Sequence, residues 1–233
     1  MPQNNDKTPK LSIITPVHNQ AGYTFRYLSS HWAYMSAHSH VEWIIVDNGS
    51  TDSTPSYLEQ YQQLFNSRLT VITNPGNLGF GEANNQAVDV AQGDYLLFLN
   101  NDIQILGDYT PSIIKALDND PSKLYGPELL TYDTGWNKFG DIIIDYIAAW
   151  CLAMPRDVFL ALGGFDPIYS PAYYEDIDLC YNAQKAGFGL KKLNVGIFHL
   201  SGQTGMHLPQ RNELTLRNKA RFAKKWRLSY ETT

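Results

Sequence analysis

Four short runs of apolar residues follow one another along the first hundred positions: Leu11–Thr15, Trp43–Val46, Leu69–Ile72 and Tyr95–Leu99. Each is too short for a helix and nearly continuous in hydrophobicity, which predicts strands buried on both faces, as in a parallel sheet. Stretches of helical length separate them, near Tyr23–Ala37, Thr54–Phe65 and Gly81–Ala91. Regular alternation of strand and helix predicts an α/β fold. Thr54-Pro55 predicts a helix start, with a capping hydroxyl followed by proline at the first helical position.

Each run delivers short polar residues at its end. The first leads into Pro16-Val17-His18-Asn19, the second into Asp47-Asn48-Gly49-Ser50, the third into Asn74-Pro75-Gly76-Asn77 and the fourth into Asn100-Asn101-Asp102. In an open α/β sheet ligands bind at the carboxyl edge, so these four segments converge on one cleft. Turn formation accounts for any one such loop, but poorly for the fourth, which has no glycine.

Beyond about residue 120 the alternation ends. Gly126-Pro127-Glu128 closes a short strand, Thr131–Gly140 is rich in turns, Ile142–Ile147 has strand character, and Pro155–Leu162 suits a short helix stopped by Gly163-Gly164. The irregular aromatic stretch Phe165–Tyr174 precedes a helix over Glu175–Gly187, with acids in the first turn and glycine just past the end, a polarity that complements the helix dipole. A strand over Gly189–Ile197 then runs into His199. Arg211–Arg227 forms a basic helix with Leu216, Ala220 and Ala223 on one face and Phe222 beside Trp226. That face is expected to pack on the protein and leave Arg217, Lys224 and Lys225 outward, toward an anionic membrane carrying a lipid-linked acceptor.

The length of 233 residues suits one domain over 10–233 behind a polar tail at 1–9. Within it, 10–102 reads as a nucleotide-binding half, 103–205 as an acceptor and catalytic half, and 206–233 as a C-terminal helical segment. A net charge of −5 disfavours a nucleic-acid partner. The polar opening Met1–Lys10 lacks a secretory leader, and no apolar run nears the roughly 20 residues that span a bilayer, so the expected location is cytoplasmic. Cys151 and Cys180 sit among apolar neighbours and read as core thiols. Neither a P-loop nor a G-x-G-x-x-G pattern occurs, which disfavours a nucleotidase and a nicotinamide dehydrogenase.

Three constellations carry chemistry. Asp102, fixed at a strand end, suits a hard divalent cation such as Mn or Mg, although an Asx turn accounts for it equally well. His199 is the preferred second protein ligand and His207 a weaker one; His31, His38 and His40 read as surface positions of a helix and loop. At Glu175-Asp176-Ile177-Asp178 the acids suit helix capping, and Asp178 is assigned to that role. An acid beside Tyr174 and near Trp150 is in addition partly desolvated, which raises its pKa and suits general-base work. Asn77-Leu78-Gly79-Phe80 leads into a helix whose Asn84 and Asn85 are candidates for sugar or ribose hydrogen bonding from the cleft.

Taken together, Leu11–Asn19, Ile45–Asp52, Asn77–Phe80 with Asn84-Asn85, Phe98–Asp102, Gly164-Phe165-Asp166, Tyr174–Cys180 and Lys225-Trp226 resemble family 2 glycosyltransferases of the glycosyltransferase A fold, closest to the bacterial rhamnosyltransferase-like branch. The resemblance implies a single-domain α/β fold with a mostly parallel central sheet and an irregular acceptor-side half. It also implies sugar transfer with inversion from a UDP or dTDP sugar to a saccharide or lipid-linked glycan in bacterial surface polysaccharide synthesis. Pro16 and His18 then flank the nucleobase with Asn19 in the same loop, Asn48 bonds the base, Asp47 supports that loop or reaches base or ribose, and Asn101 lies near ribose. Asn77, Gly79 and Asn84 complete the donor side, Asp102 holds the cation, Asp176 is the base, and Glu175 contacts acceptor or donor sugar. Trp150 and Tyr174 shape the acceptor side. His18 replaces the tyrosine of many members, and Asn100-Asn101 leaves Asp102 the only acid of the family's D-x-D motif. The competing readings are a non-catalytic nucleotide-sugar or glycan-binding module on the same scaffold, disfavoured by retention of Asp102 and Glu175-Asp176, and a sugar nucleotidyltransferase, disfavoured because Thr15–Gly22 is not a Gly-rich basic loop.

Overall fold

The computed structural model describes residues 10–35, 37–200 and 211–229. The first half alternates β1 (Leu11–Val17), α1 (Ala21–Met35), β2 (Val41–Asp47), α2 (Thr54–Phe65), β3 (Leu69–Thr73), α3 (Phe80–Val90) and β4 (Tyr95–Leu99). β1 pairs in parallel with β2 and with β4, and β2 with β3. Alternate side chains of these strands enter two cores. Ile14, Ile44, Val46, Leu96 and Phe98 pack with Ala83 and Ala87 of α3, while Ile13, Trp43, Ile45, Leu97 and Leu99 pack with Tyr27, Leu28 and Leu58 from α1 and α2. Burial on both faces explains the unbroken hydrophobicity of the runs. At the start of α2, Ser53 rather than Thr54 occupies the capping position, and the Thr54 N–H donates to Asp52 Oδ1 at 2.9 Å.

The second half contributes β5 (Ile103–Ile105), α4 (Thr110–Asn119), β6 (Lys123–Gly126), β7 (Leu129–Leu130), β8 (Lys138–Phe139), β9 (Ile142–Ile143), β10 (Tyr146–Ile147), β11 (Cys151–Pro155), α5 (Arg156–Ala161), α6 (Glu175–Lys185), β12 (Gly189–Lys192), β13 (Ile197–His199) and α7 (Arg211–Trp226). The seven-stranded sheet has the order β12-β6-β11-β4-β1-β2-β3, with β11 antiparallel to both neighbours. The chain winds outward from β1 through β2 to β3, then returns to the other side of β1 for β4. That reversal opens a crevice at the carboxyl ends of β1 and β4.

The strand expected over Ile142–Ile147 divides into β9 and β10, because Ile142 and Ile143 form an exposed hairpin arm with β8 while Tyr146 and Ile147 are buried against β7. Likewise Gly189–Ile197 divides: β12 extends the main sheet, and β13 pairs with β5 in a separate ribbon. The central antiparallel strand β11 has no counterpart among the predicted elements, since no turn residue separates it from the apolar residues before it. Cys151 and Cys180 are buried free thiols. No described helix is long and apolar enough to cross a membrane.

Candidate active site

The loops after β1, β2 and β3 hold one another. Asn19 and Gln20 take left-handed conformations, with φ of 54° and 56°. From there Asn19 Oδ1 accepts from the Thr51 N–H at 2.8 Å, and its own N–H donates to Ser50 Oγ at 2.7 Å. Pro16 lies within β1 opposite Val46, and His18 Nδ1 is 2.9 Å from the Asn48 carbonyl. Buried Asp47 accepts the Ser50 N–H through Oδ1 at 2.9 Å. Gly49, at φ 77°, lies so near Gly76 that a Cβ would come within 2.5 Å of its Cα.

Asn48 departs from its expected role. Its Nδ2 donates to Asn77 Oδ1 at 2.9 Å and to the Gly79 carbonyl at 3.2 Å, while its Oδ1 accepts from Asn74 Nδ2 and the Leu78 N–H. Both ends of the amide are engaged by the neighbouring loop, so the side chain fixes the loops rather than offering itself to a base. Gly79 has φ 97°, and a Cβ there would meet Ser170 Oγ at 2.7 Å and the Pro171 carbonyl at 2.9 Å. This close approach docks the loop after β3 onto the aromatic loop before α6. The two amides of α3 do not form a cleft-facing pair: Asn84 is fully buried and donates to the Phe80 carbonyl, while Asn85 Nδ2 donates to the Phe165 carbonyl and its Oδ1 accepts the Phe165 N–H. Asn101 turns back to α1, donating to buried Thr24 Oγ1 at 3.0 Å.

Asp102 is fully buried, and neither carboxylate oxygen has a hydrogen-bond partner among the described residues. Register brings His199 to it: β13 runs antiparallel to β5 with His199 opposite Ile103, and the Leu200 N–H donates to the Asp102 carbonyl at 2.9 Å. His199 Nε2 lies 3.3 Å from Asp102 Oδ1 without hydrogen-bond geometry and is itself unpartnered. Unsatisfied buried polar atoms cost about 1–3 kcal/mol each. A carboxylate and an imidazole facing each other in that state fit a cation bound through oxygen and nitrogen. No group of three or more His, Cys, Asp or Glu side chains suited to a metal occurs among the described residues, and His207 lies outside them. Trp150 stacks on the His199 ring, with centroids 4.7 Å apart and planes 8° from parallel, and its Nε1 donates to Glu128 at 2.5 Å.

Next along the sequence from Trp150, Ala149 meets the acid pair. Its N–H donates to Asp176 Oδ2 at 3.3 Å, and the Ile177 N–H donates to Asp176 Oδ1 at 2.8 Å. Burial raises the Asp176 carboxyl to about 6; these backbone donors oppose the rise and the Glu128 charge adds to it. Burial, and then the neighbouring Asp176 charge, hold Glu175 well above the usual carboxylate range, and Glu175 Oε2 is unpartnered. The pair follows two non-glycine residues in left-handed conformations, Tyr173 at φ 78° and Tyr174 at φ 81°. Such strain persists only where surrounding structure imposes it. Tyr174 is buried, and its hydroxyl donates to the Trp136 carbonyl.

Asp178 is not a solvated cap. It is buried and accepts from Tyr169 Oη at 2.9 Å, Lys225 Nζ at 2.7 Å and Trp226 Nε1 at 2.7 Å. Lys225 also bonds Asp166 at 2.7 Å, and Arg217 donates to the Ser170 carbonyl, so of the three cations expected to point outward only Lys224 makes no such contact. Asn218, Phe222 and Ala223 form the buried face of α7, while Leu216 and Ala220 are exposed. His31 is likewise buried, with Nδ1 donating to the Tyr27 carbonyl at 2.8 Å and Nε2 2.6 Å from Tyr109 Oη. Sequence reasoning did not single out Glu128 or Asn218, and Lys225-Trp226 was the visible signal of the contact made by α7.

This sheet, with its switch point and its site along the carboxyl edge, has the glycosyltransferase A fold. The chain belongs to glycosyl transferase family 2, whose model matches residues 12–157. It is 33% identical over 144 residues to TuaG of Bacillus subtilis (strain 168), named as a teichuronic acid biosynthesis glycosyltransferase, covering 54% of this chain and 56% of that protein. Among solved structures, GalNAc-T7 with UDP, GalNAc and Mn2+ superposes with a TM-score of 0.70 at 17% identity, covering 93% of this chain and 48% of that one. The mannosyltransferase PcManGT from Pyrobaculum calidifontis, in complex with GDP-Man and Mn2+, gives 0.68 at 19% identity, covering 87% and 60%. The chain thus spans about half the length of these relatives.

Proposed function

We propose that the protein is a cation-dependent, inverting glycosyltransferase that moves a sugar from a UDP or dTDP sugar to a hydroxyl of a saccharide or lipid-linked glycan, in cytoplasmic synthesis of bacterial surface polysaccharide. Chemistry of the rhamnosyltransferase-like kind falls within this reading. The observation that carries it is the acid pair at the start of α6, Glu175 buried and Asp176 half-buried with its carboxyl raised to about 6. A base of that strength is mostly ionised at neutral pH yet still accepts a proton. Asp176 takes the proton of the acceptor hydroxyl as its oxygen bonds the anomeric carbon, and the bond from that carbon to the diphosphate oxygen breaks, its electron pair leaving with the diphosphate. Glu175, whose carboxyl burial and the Asp176 charge hold well above the usual carboxylate range, contacts the acceptor or donor sugar, and Trp150 and Tyr174 border the acceptor side.

Asp102 and His199 would hold the cation. When bound, the ion stabilises charge on the departing diphosphate. The orphaned Asp102 oxygens support this assignment, as do the nucleotides and Mn2+ carried by the structural relatives. The test is thermal shift with UDP and dTDP sugars, with Mn2+ or Mg2+ and with EDTA, followed by a transfer assay on the donor that stabilises most. Cation-dependent stabilisation, with transfer, is expected. Equal stabilisation in EDTA removes the cation from the reading, and donor binding without hydrolysis or transfer returns the protein to the binding-module class.

A further inference from the structure

The strained Tyr173-Tyr174 backbone is held from one helix. Asn218 of α7 is fully buried, and its Nδ2 lies 2.7 Å from the Tyr169 carbonyl and 2.9 Å from those of Ala172 and Tyr173. Two N–H hydrogens are thus shared among three carbonyls of the loop that enters α6. The amide cannot flip, because its Oδ1 accepts from Arg217 Nε at 3.2 Å and Arg221 Nη1 at 3.4 Å. The same two arginines take further carbonyls of the loop, Arg217 that of Ser170 at 2.6 Å and Arg221 that of Ile168. Five carbonyls between Ile168 and Tyr173 therefore end on three side chains of α7. At the far end of the helix, Lys225 and Trp226 hold Asp178 of α6.

We infer that Asn218 is a positioning residue for the acid pair. By fixing the Ala172 and Tyr173 carbonyls it keeps Tyr173 and Tyr174 left-handed, and so keeps Glu175 buried, Asp176 half-buried and both aimed at the reacting atoms. α7 is then part of the catalytic apparatus, although the family match ends at residue 157. The inference rests on the proposed function for its kinetic consequence but not for its structural one. Released carbonyls let the loop relax, the start of α6 shifts and water reaches the acids. A shift of about 1 Å at a reacting group costs on the order of 10²-fold in rate.

The experiment compares the full chain with Asn218→Ala and with the double variant Arg217→Gln/Arg221→Gln. Arg217 is exposed and Arg221 half-buried, and Asn218 stays in place in the double variant, so that variant keeps the fold if Asn218→Ala does not. Two quantities are read: kcat against donor KM, and the titration of the Asp176 carboxyl by 13C NMR, which needs no activity. The groups facing that carboxyl are Glu175, Glu128, Tyr146 and Cys180, and none is altered. A fall in kcat of about 10²-fold with donor KM within a few-fold is expected for Asn218→Ala, together with a downward move of the Asp176 titration from about 6. The double variant should show a smaller change of the same kind. An unmoved titration in a folded variant overturns the inference, as does an unchanged kcat. If the wild-type protein transfers no sugar from any donor, the proposed function fails, and the titration alone decides the positioning.

Discussion

The two halves of the carboxyl edge treat their polar groups in opposite ways. Around β1, β2 and β3, the side chains of Asn19, Asp47, Asn48, Asn74 and Asn77 pair with one another and with loop backbone until the three loops form one hydrogen-bonded unit. Around Asp102 and the start of α6, buried atoms stand unpaired: both Asp102 oxygens, His199 Nε2 and Glu175 Oε2. Saturated loops give a rigid wall. Unpaired acids raise the free energy of the empty protein and leave it ready to gain from whatever binds there.

The sharpest way to break this comparison is at Asp176. Asp176→Asn keeps shape and still accepts the Ile177 N–H through its Oδ1, giving up only the long 3.3 Å contact from Ala149, but it takes no proton. Turnover should fall by roughly 10²- to 10⁴-fold with a nearly constant melting temperature. A variant that keeps near-normal turnover with a verified acceptor moves the base assignment to Glu175.

Asp178, two residues further on, belongs to the saturated kind despite its place among the acids. With Tyr169, Lys225 and Trp226 all donating to it, Asp178→Asn should lower stability by about 1.5–3 kcal/mol, the scale of hydrogen bonds to a charged group. At about 2–4 °C per kcal/mol for a chain of this size, denaturation monitored by circular dichroism resolves the loss. A melting temperature within 1 °C of wild type, on the order of experimental scatter, would place Asp178 back among solvated caps.

Asp102 should do the reverse. Since both its oxygens are orphaned, Asp102→Asn removes a buried charge that the empty protein does not satisfy. The variant should melt slightly higher than wild type in EDTA and lose the gain from Mn2+ with nucleotide. His199→Ala should weaken that gain less, because it leaves the carboxylate in place. Destabilisation of the metal-free protein by Asp102→Asn would contradict the account of Asp102 as an unsatisfied acid.

The same contrast sets what the sequence made legible. Each crossover of the first half is encoded locally, by a run buried on both faces and a polar strand end, so strands and helices fell within a few residues of their observed bounds. Asp102 and His199 were recognisable singly as strand-end residues, and the β5–β13 register joins them. The second half is built by contacts across long sequence separations. Asn218 reaches carbonyls more than forty residues away, and no local pattern marks an amide that satisfies a distant loop. Asp178 was misjudged for the same reason: its partners Lys225 and Trp226 come from the far end of the chain. Asn48 misled in the opposite direction, since a strand-end amide suits a ligand until the neighbouring loop uses it up.

His31, buried on α1 against Tyr27 and Tyr109, contrasts with the acid pair in how it titrates. His31 Nδ1 must donate, since its partner is the Tyr27 carbonyl, which leaves Nε2 to accept from the Tyr109 hydroxyl. Burial lowers its pKa to about 4, with the Tyr27 hydrogen bond opposing. The unfolded chain, titrating near 6.5, therefore binds more protons than the folded one between about 6.5 and 4, and stability falls as pH drops through that window. Asp176 acts with the opposite sign. Its folded value of about 6 lies above the unfolded value near 3.9, so the folded protein binds more protons between the two and stability falls as pH rises. Within the slope of melting temperature between pH 4 and 6 these two contributions oppose each other. His31→Gln should remove the acid-labile component and tilt the curve toward greater stability at low pH, whereas Asp176→Asn should make the acid-side loss steeper. Parallel curves for wild type and both variants would show that neither group titrates differently on folding.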